Sequence, residues 1–326
     1  MYIPVYPKKI LPLCIALLIC IKAETKKEDY ITHQIKPGES VSLICIDYYG
    51  NYSNKLGDAI KDINPSIKDI NLIIAGGEIK LRKPQTAQKK KDTAPSVFTK
   101  KVNITQGVVT CVVGKALLLK KGGTKKTKLT TNTLVLPGDK IFTGSDGRVE
   151  IIINRESVLR MKENTRLTLG EYRSKEKNEG KTNVDLKKGT IWTKIKKFAD
   201  KICRFELSLP TAIAGVYGTI YETSVAEDST TEVKVYNGEV SVKGSPQAGV
   251  PATGEITEVP GPSEVPGPHE VTMDEWVRIV RSMQKVTIDK NGTPSEVSAF
   301  KKDPSSSWEK WNEERDRLIA KILSEK

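Results

Sequence analysis

"SLPTAIAGVYGTIYETSV", residues 208–225, places Gly215 and Gly218 three residues apart between runs of small and β-branched side chains. Two different structures use such a pair. In a phosphate-binding loop, backbone amides converge at the N-terminus of a helix that the glycines open. In a sheet, glycines admit a bulge or the close approach of a neighbouring strand. After Gly218 the chain reads "TIYETSVAEDSTTEVKVYNG", which alternates, turns and alternates again. That is the period of strands, so the stretch predicts a strand bent at its glycines.

Outward from it, residues 97–244 read as all-β. "GVVTCVVGKALLL", "TLVLPGDKIFTGSDGRVEIIINRESVLRMKENTRLTL", "VDLKKGTIWTKI", "RFELSLPT" and "TEVKVYNGEVSVKG" are short alternating runs separated by Gly-Asp, Asp-Gly, Asn and Asn-Gly turns. This spacing predicts a sandwich or a barrel-like fold. The segments "LPGDKIFTGSDGRVEIII", "LKKGTIWTKI", "LPTAIAGVYGTIYETSV" and "VKVYNGEVSV" resemble the FecR domain over about Gly107 to Gly244, most specifically in the pattern ending at Thr219. The resemblance implies a periplasmic β domain that presents a surface to a protein partner. The signalling regulators of that family carry a cytoplasmic segment and a membrane helix ahead of this domain. The segments that precede it here are different, so anti-sigma activity is not carried over, and envelope signalling or ligand sensing stands as the alternative.

Those preceding segments begin with "MYIPVYPKKILPLCIALLICIKAE", in which Lys8 and Lys9 precede an uncharged run from Ile10 to Ile21. The run is too short for the roughly 20 residues of a bilayer span, so residues 1–23 are expected to be a secretory signal cleaved after Ala23. Residues 28–84 come next as strand, helix, helix, strand. A turn at Pro37 and Gly38 leads to Ser40 as a helix cap, with Val41, Ile44, Cys45 and Tyr48 at helical spacing. A second helix carries Ala59, Ile60 and Ile63 to Asn64, and "GGEIKLRKP" closes with a strand.

Tyr30, Gly38-Glu39-Ser40, Tyr49-Gly50, Ile60, Asn64, Leu72 and Ile79-Lys80-Leu81 resemble the marks of the LysM module, with Glu39 for the family's Asp and Ser40 for its Thr. The resemblance implies binding of peptidoglycan or another N-acetylglucosamine-containing glycan. The groove would lie between Gly38, Glu39, Ser40 and Val41 on one side and Asn71, Leu72, Ile73 and Ile74 on the other. Amides of the turn would bond acetamide oxygens, while Leu72 and Ile73 pack on the sugar.

Two stretches without apolar periodicity separate the pieces: the linker 85–96, and "GSPQAGVPATGEITEVPGPSEVPGPHE", whose repeated "EVPGP" makes 245–270 an extended spacer. The tail, 271–326, predicts two helices. In "TMDEWVRIVRSMQ", Thr272 and Glu275 form a capping box, and Trp276, Ile279, Val280 and Met283 share a face. In the second, Ser306 and Glu309 could form another, with Trp308, Trp311, Arg315, Leu318 and Ile322 on one stripe. Both are expected to dock on the β domain. The expected fold class is therefore an α+β multidomain chain: a small βααβ module, an all-β sandwich or barrel-like domain, and a short helical C-terminal region.

Composition narrows the function. The net charge is +13, of which residues 97–244 carry +11. "KKGGTKKTK", Lys120–Lys128, has glycines at its centre and no interleaved aromatics, so it is expected to be a solvated hairpin tip, and nucleic acid is not an expected partner. Signal cleavage would leave Cys45, Cys111 and Cys203, an odd number that excludes a disulfide-stapled framework. His33 and His269 are the only two histidines, and none lies at ligand spacing from a cysteine. No metal, cofactor or catalytic residue is therefore expected. A carboxylate pair is the one hydrolase arrangement the sequence leaves open, with peptidoglycan hydrolysis as the second alternative.

Overall fold

In this computed structural model the chain is described over residues 30–83, 106–170, 182–196, 205–244 and 277–323. The expected signal segment, the linker 85–96, the spacer 245–270, Cys203, and Thr272, Glu275 and Trp276 lie outside the described residues.

The N-terminal module has the expected order: β1 (Tyr30–Gln34), α1 (Val41–Tyr49), α2 (Asn54–Ile63) and β2 (Glu78–Arg82). β1 and β2 pair antiparallel from Tyr30↔Arg82 to Gln34↔Glu78. Ser40 and Ser53, both extended, cap the two helices by accepting from the amides of Leu43 and Leu56. α2 is amphipathic, as its solvent-facing charges require. α1 is different: Val41 to Ile46 are all buried. A nine-residue helix sealed on every side must be packed by more than its own small module.

The second packing surface is the β body. Its strands are β3 (Gly107–Val113), β4 (Ala116–Leu119), β5 (Thr127–Lys128), β6 (Leu134–Val135), β7 (Lys140–Thr143), β8 (Arg148–Ile153), β9 (Ser157–Met161), β10 (Arg166–Leu169), β11 (Thr182–Ile195), β12 (Phe205–Ser208), β13 (Ala212–Val225) and β14 (Thr231–Gly244). With three further strands from the tail they form one 15-stranded, almost wholly antiparallel sheet that curls into a small barrel. The expected all-β architecture holds. Lys120–Lys128, which links β4 to β5 and includes β5, is exposed throughout, as expected of a hairpin tip.

β13 answers the question posed by its glycines. It runs unbroken through Gly215 and Gly218, and its register against β14 shifts between Tyr217 and Tyr221. Gly218 adopts φ +55, and a Cβ on Gly238 of β14 would meet Gly218 O at 3.1 Å. Gly218 of β13 and Gly238 of β14 thus let adjacent strands close together at a bend. No helix begins there, so the pair has no anion cradle to offer.

The tail departs from expectation. "VRIVR" is β15 (Val277–Arg281), followed by β16 (Gln284–Ile288) and β17 (Ser298–Ala299), rather than a helix. β15 and β16 pair with successive halves of β14, Val280 opposite Val240 and Val286 opposite Val233. They act as one edge strand kinked at Ser282 and Met283, where Met283 adopts φ 62. The helical reading failed because Val277, Ile279 and Val280 are β-branched, and an open sheet edge offered them hydrogen bonds that a short helix lacks. The β domain therefore does not end at residue 244, and the tail contributes one helix rather than two.

That helix is α3 (Ser307–Leu323), with Trp308, Asn312, Arg315, Ile319, Ile322 and Leu323 buried, a stripe close to the expected one. Its amino-terminal end docks on the β body as predicted: Trp308 Nε1 donates to Glu222 at 2.8 Å, and Trp192 and Tyr236 lie in the same apolar cluster. Its other end reaches the module.

β8 and β9 explain how. Nearly every residue of this hairpin is buried, so both of its faces are covered. Val149, Ile151, Ile153, Leu159 and Met161 point into the barrel core. Ile152 and Val158 point outward and join Val108, the module's Val41, Ile44, Ile60 and Leu81, and the helix's Ile319 and Ile322 in a second core. The module, the hairpin and α3 share this second core. The module expected at residues 28–84 thus packs on the body through buried apolar surface.

Candidate functional site

The residues expected to wall the groove lie on two turns of the module. On the first, Gly38 turns the chain at φ +81, and Glu39 folds back so that its carboxylate accepts from the Lys36 amide at 2.8 Å and meets His33 Nε2 at 2.8 Å. The second wall is anchored by Asn64, whose amide donates to Ile60 O and Lys80 O and accepts from the Lys80 amide. Asp69 then orders the loop, its carboxylate accepting from the Asn71 amide at 2.9 Å.

Between these walls lies a cleft of about 150 Å³ lined by Gly38, Glu39, Ser40, Ile70, Asn71 and Ile73. Five of the eight expected residues thus meet at one cleft. The other three are placed differently. Val41 is fully buried in the second core, while Leu72 and Ile74 project into solvent beside the cleft at 74% and 76% exposure.

A third wall was not anticipated. Thr110, Cys111 and Val112 of β3 and Thr131 of the turn between β5 and β6 line the same cleft. Asn132, next in that turn, inserts its carboxamide between the two module walls. Its Oδ1 accepts from the Ser42 amide at 2.7 Å, and its Nδ2 donates to Ile70 O at 2.9 Å and Asn71 Oδ1 at 3.0 Å. Ser42 Oγ donates to Val109 O at 3.2 Å alongside. The sequence analysis did not single out Asn132: its φ of 64 lies in the left-handed region that asparagine tolerates, but its distant partners carry no local signal.

Beneath this wall sits a buried ionic cluster. Glu150, fully enclosed, accepts from Thr110 Oγ1 at 2.7 Å, Arg160 Nε at 2.8 Å and Arg315 Nε at 3.1 Å, and pairs again with Arg315 Nη2. Arg160 also reaches Asn312 and Asp316, and Arg315 Nη1 donates to Gly38 O, which ties α3 to the first wall of the cleft. Burial pushes the Glu150 carboxyl upward, but the two guanidiniums override it and hold its pKa down to about 2. The visible signal was a lone Glu in "RVEIII" and a lone Arg in "SVLRM", charges placed inside apolar strands.

Cys111 lines the cleft with its thiol pKa raised by burial, and burial pushes Cys45 up to about 12. Among the described residues no three Cys, His, Asp or Glu side chains gather to hold a metal, and no helix is long and apolar enough to cross a membrane. The cleft instead combines the Gly38 turn, the Asn71 carboxamide and a hydroxyl-bearing third wall with two exposed aliphatic side chains beside it. Such groups can hold a neutral polar ligand with one apolar face.

No curated protein matches this chain. Two crystal structures of a candidate anti-sigma factor from Parabacteroides distasonis resemble it at 14% identity and a TM-score of 0.33, covering 50% of this chain and 60% of that one. The family model described as FecR protein matches residues 139–241, which run from the turn before β7 into β14. The centre of the β body is thus a FecR domain, and the N-terminal module and α3 are packed around it.

Proposed function

We propose that the chain is an exported, non-catalytic cell-envelope protein that binds peptidoglycan, or a related N-acetylglucosamine-containing glycan, at the module cleft and offers its FecR domain to a protein partner. One observation carries the glycan reading: Leu72 and Ile74 stand exposed beside a cleft lined by the turn at Gly38. Large aliphatic side chains held in solvent next to fixed amides suit a sugar's apolar face and its acetamido group.

Deleting the module would strip the outer face of β8 and β9 and confuse lost binding with lost folding. The test is therefore the surface double variant Leu72→Ser with Ile74→Ser in the full chain, co-sedimented with purified peptidoglycan. Wild type should pellet with the sacculi, and the variant should bind at least about tenfold more weakly, consistent with two lost apolar contacts. Wild-type protein that stays in the supernatant overturns the glycan reading. Release of soluble muropeptides in the same tube overturns the non-catalytic one.

A second reading, signalling or ligand sensing in the envelope, is favoured by the FecR match itself. Cross-linking of the exported chain to an envelope regulator, retained in the double variant, would support it.

A further inference from the structure

The Ser42 amide lies in the first turn of α1, where helical N–H groups have no partner within the helix. Ser42 is fully buried, so water cannot supply one. The acceptor it finds is Asn132 Oδ1, and the donor on the same carboxamide faces Ile70 O and Asn71 Oδ1 across the cleft. The orientation is fixed by chemistry: a flipped amide would set N–H against N–H and oxygen against oxygen. The module's two walls are therefore bridged by a planar O=C–N unit with its oxygen toward the α1 turn and its nitrogen toward the loop at Ile70.

A sugar's acetamido group is the same unit, with one carbonyl acceptor and one N–H donor on a planar frame. We propose that Asn132 is an internal stand-in for that group: the β body fills the amide position of the module's own groove, and an N-acetylated glycan binds by displacing it. This rests on the glycan reading above. The open cleft beside Asn132, bounded by Gly38, Asn71, Thr110 and Thr131, then receives the rest of the sugar. Displacement removes the three carboxamide bonds of Asn132 and exposes the Ser42 amide to the entering ligand, and full withdrawal of the turn also breaks the bond from the Asn132 amide to Val109 O. Glycan capture and loosening of the module from the β5–β6 turn are therefore one equilibrium, and each opposes the other. A state of the protein in which that turn is withdrawn binds glycan more tightly than the docked state.

The test titrates full-length wild type, Asn132→Gly and Asn132→Asp with N-acetylglucosamine tetramer, by calorimetry, and tracks amide exchange at residues 130–133. Glycine accepts φ 64 and removes the carboxamide. Aspartate keeps the shape but turns the donor facing Ile70 O into an acceptor, and it serves if glycine loosens the turn too far. The expected result is about tenfold tighter binding in both variants, within the usual range of such couplings. In wild type the tetramer should accelerate exchange at residues 130–133. Equal affinities, or weaker binding by a variant whose thermal transition is retained, overturn the stand-in and leave the glycan reading intact. No binding by any of the three proteins overturns both.

Discussion

The module meets the β body at two junctions that use opposite chemistry. At Asn132 every bond joins neutral groups, and its neighbour Thr131 and its partners Ile70 and Asn71 line an open cleft. At Arg315 a guanidinium bonded to Gly38 O is shared with a carboxylate that no solvent reaches, and a second arginine completes the set. A neutral hydrogen bond is exchanged for another at a net cost of about 1 kcal/mol. A buried ion deprived of its partner costs about 3–5 kcal/mol. The molecule can therefore open at the amide, with the ionic cluster as the fixed side of the joint.

The largest loss is expected from Glu150→Gln. The substitution keeps the shape but leaves Arg160 and Arg315 buried with Asp316, paired with Arg160, and the more distant Glu39, which acts on Arg315, as carboxylates near the cluster. A loss of about 3–5 kcal/mol is expected in urea unfolding. The Gly38 turn and α3 should also exchange their amides faster, because Arg315 links them. A loss under about 1 kcal/mol would mean that the ionic junction is as soft as the amide one, and the distinction would go.

Acid separates the two junctions further. Burial works to raise the Glu150 pKa, but Arg315 and Arg160 dominate and bring it to about 2 from an ordinary 4.5. Because the folded value is the depressed one, its contribution is complete above about pH 4.5 and is lost as the pH falls toward 2. Wild type should therefore lose thermal stability across that window more steeply than Glu150→Gln, which has no carboxyl to protonate at that site. The Asn132 junction, being uncharged, should contribute nothing to the difference. Parallel pH profiles for the two proteins would remove Glu150 as the acid-sensitive element.

Much of this was legible in the sequence, and the remainder was hidden for physical reasons. The module's order, its Ser40 cap and the β13 bend come from local rules of turns and periodicity, and those rules operate within a few residues. The β15 strand did not, because "VRIV" satisfies a helical face and an alternating one equally, and the choice was made by the free edge of β14 at Glu239 to Lys243. Five cleft residues were found because they lie on two turns of one small unit. Asn132 was not, since its partners Ser42 and Ile70 lie 90 and 62 residues away. The apolar run "VEIIINRESVL" did hold a clue, in that Ile152 and Val158 fall on the face opposite the barrel core and called for something to cover them.

A second polar contact between α3 and the module isolates burial as the variable. Lys321 of α3 pairs with Asp47 of α1 at 3.0 Å, but the lysine is 77% exposed. The pair carries the same kind of charges as the Arg315 cluster and, like the Arg315 bond to Gly38 O, joins α3 to the module. Water already solvates both ions there, and ordering the long lysine side chain offsets the gain. Asp47→Asn should change stability by less than about 1 kcal/mol, and about 0.5 M sodium chloride should remove even that difference in paired urea titrations. If Asp47→Asn instead cost as much as Glu150→Gln and resisted salt, charge alone would hold the module, and enclosure of Glu150 beneath the third wall would no longer explain why that junction stays closed while the amide one yields.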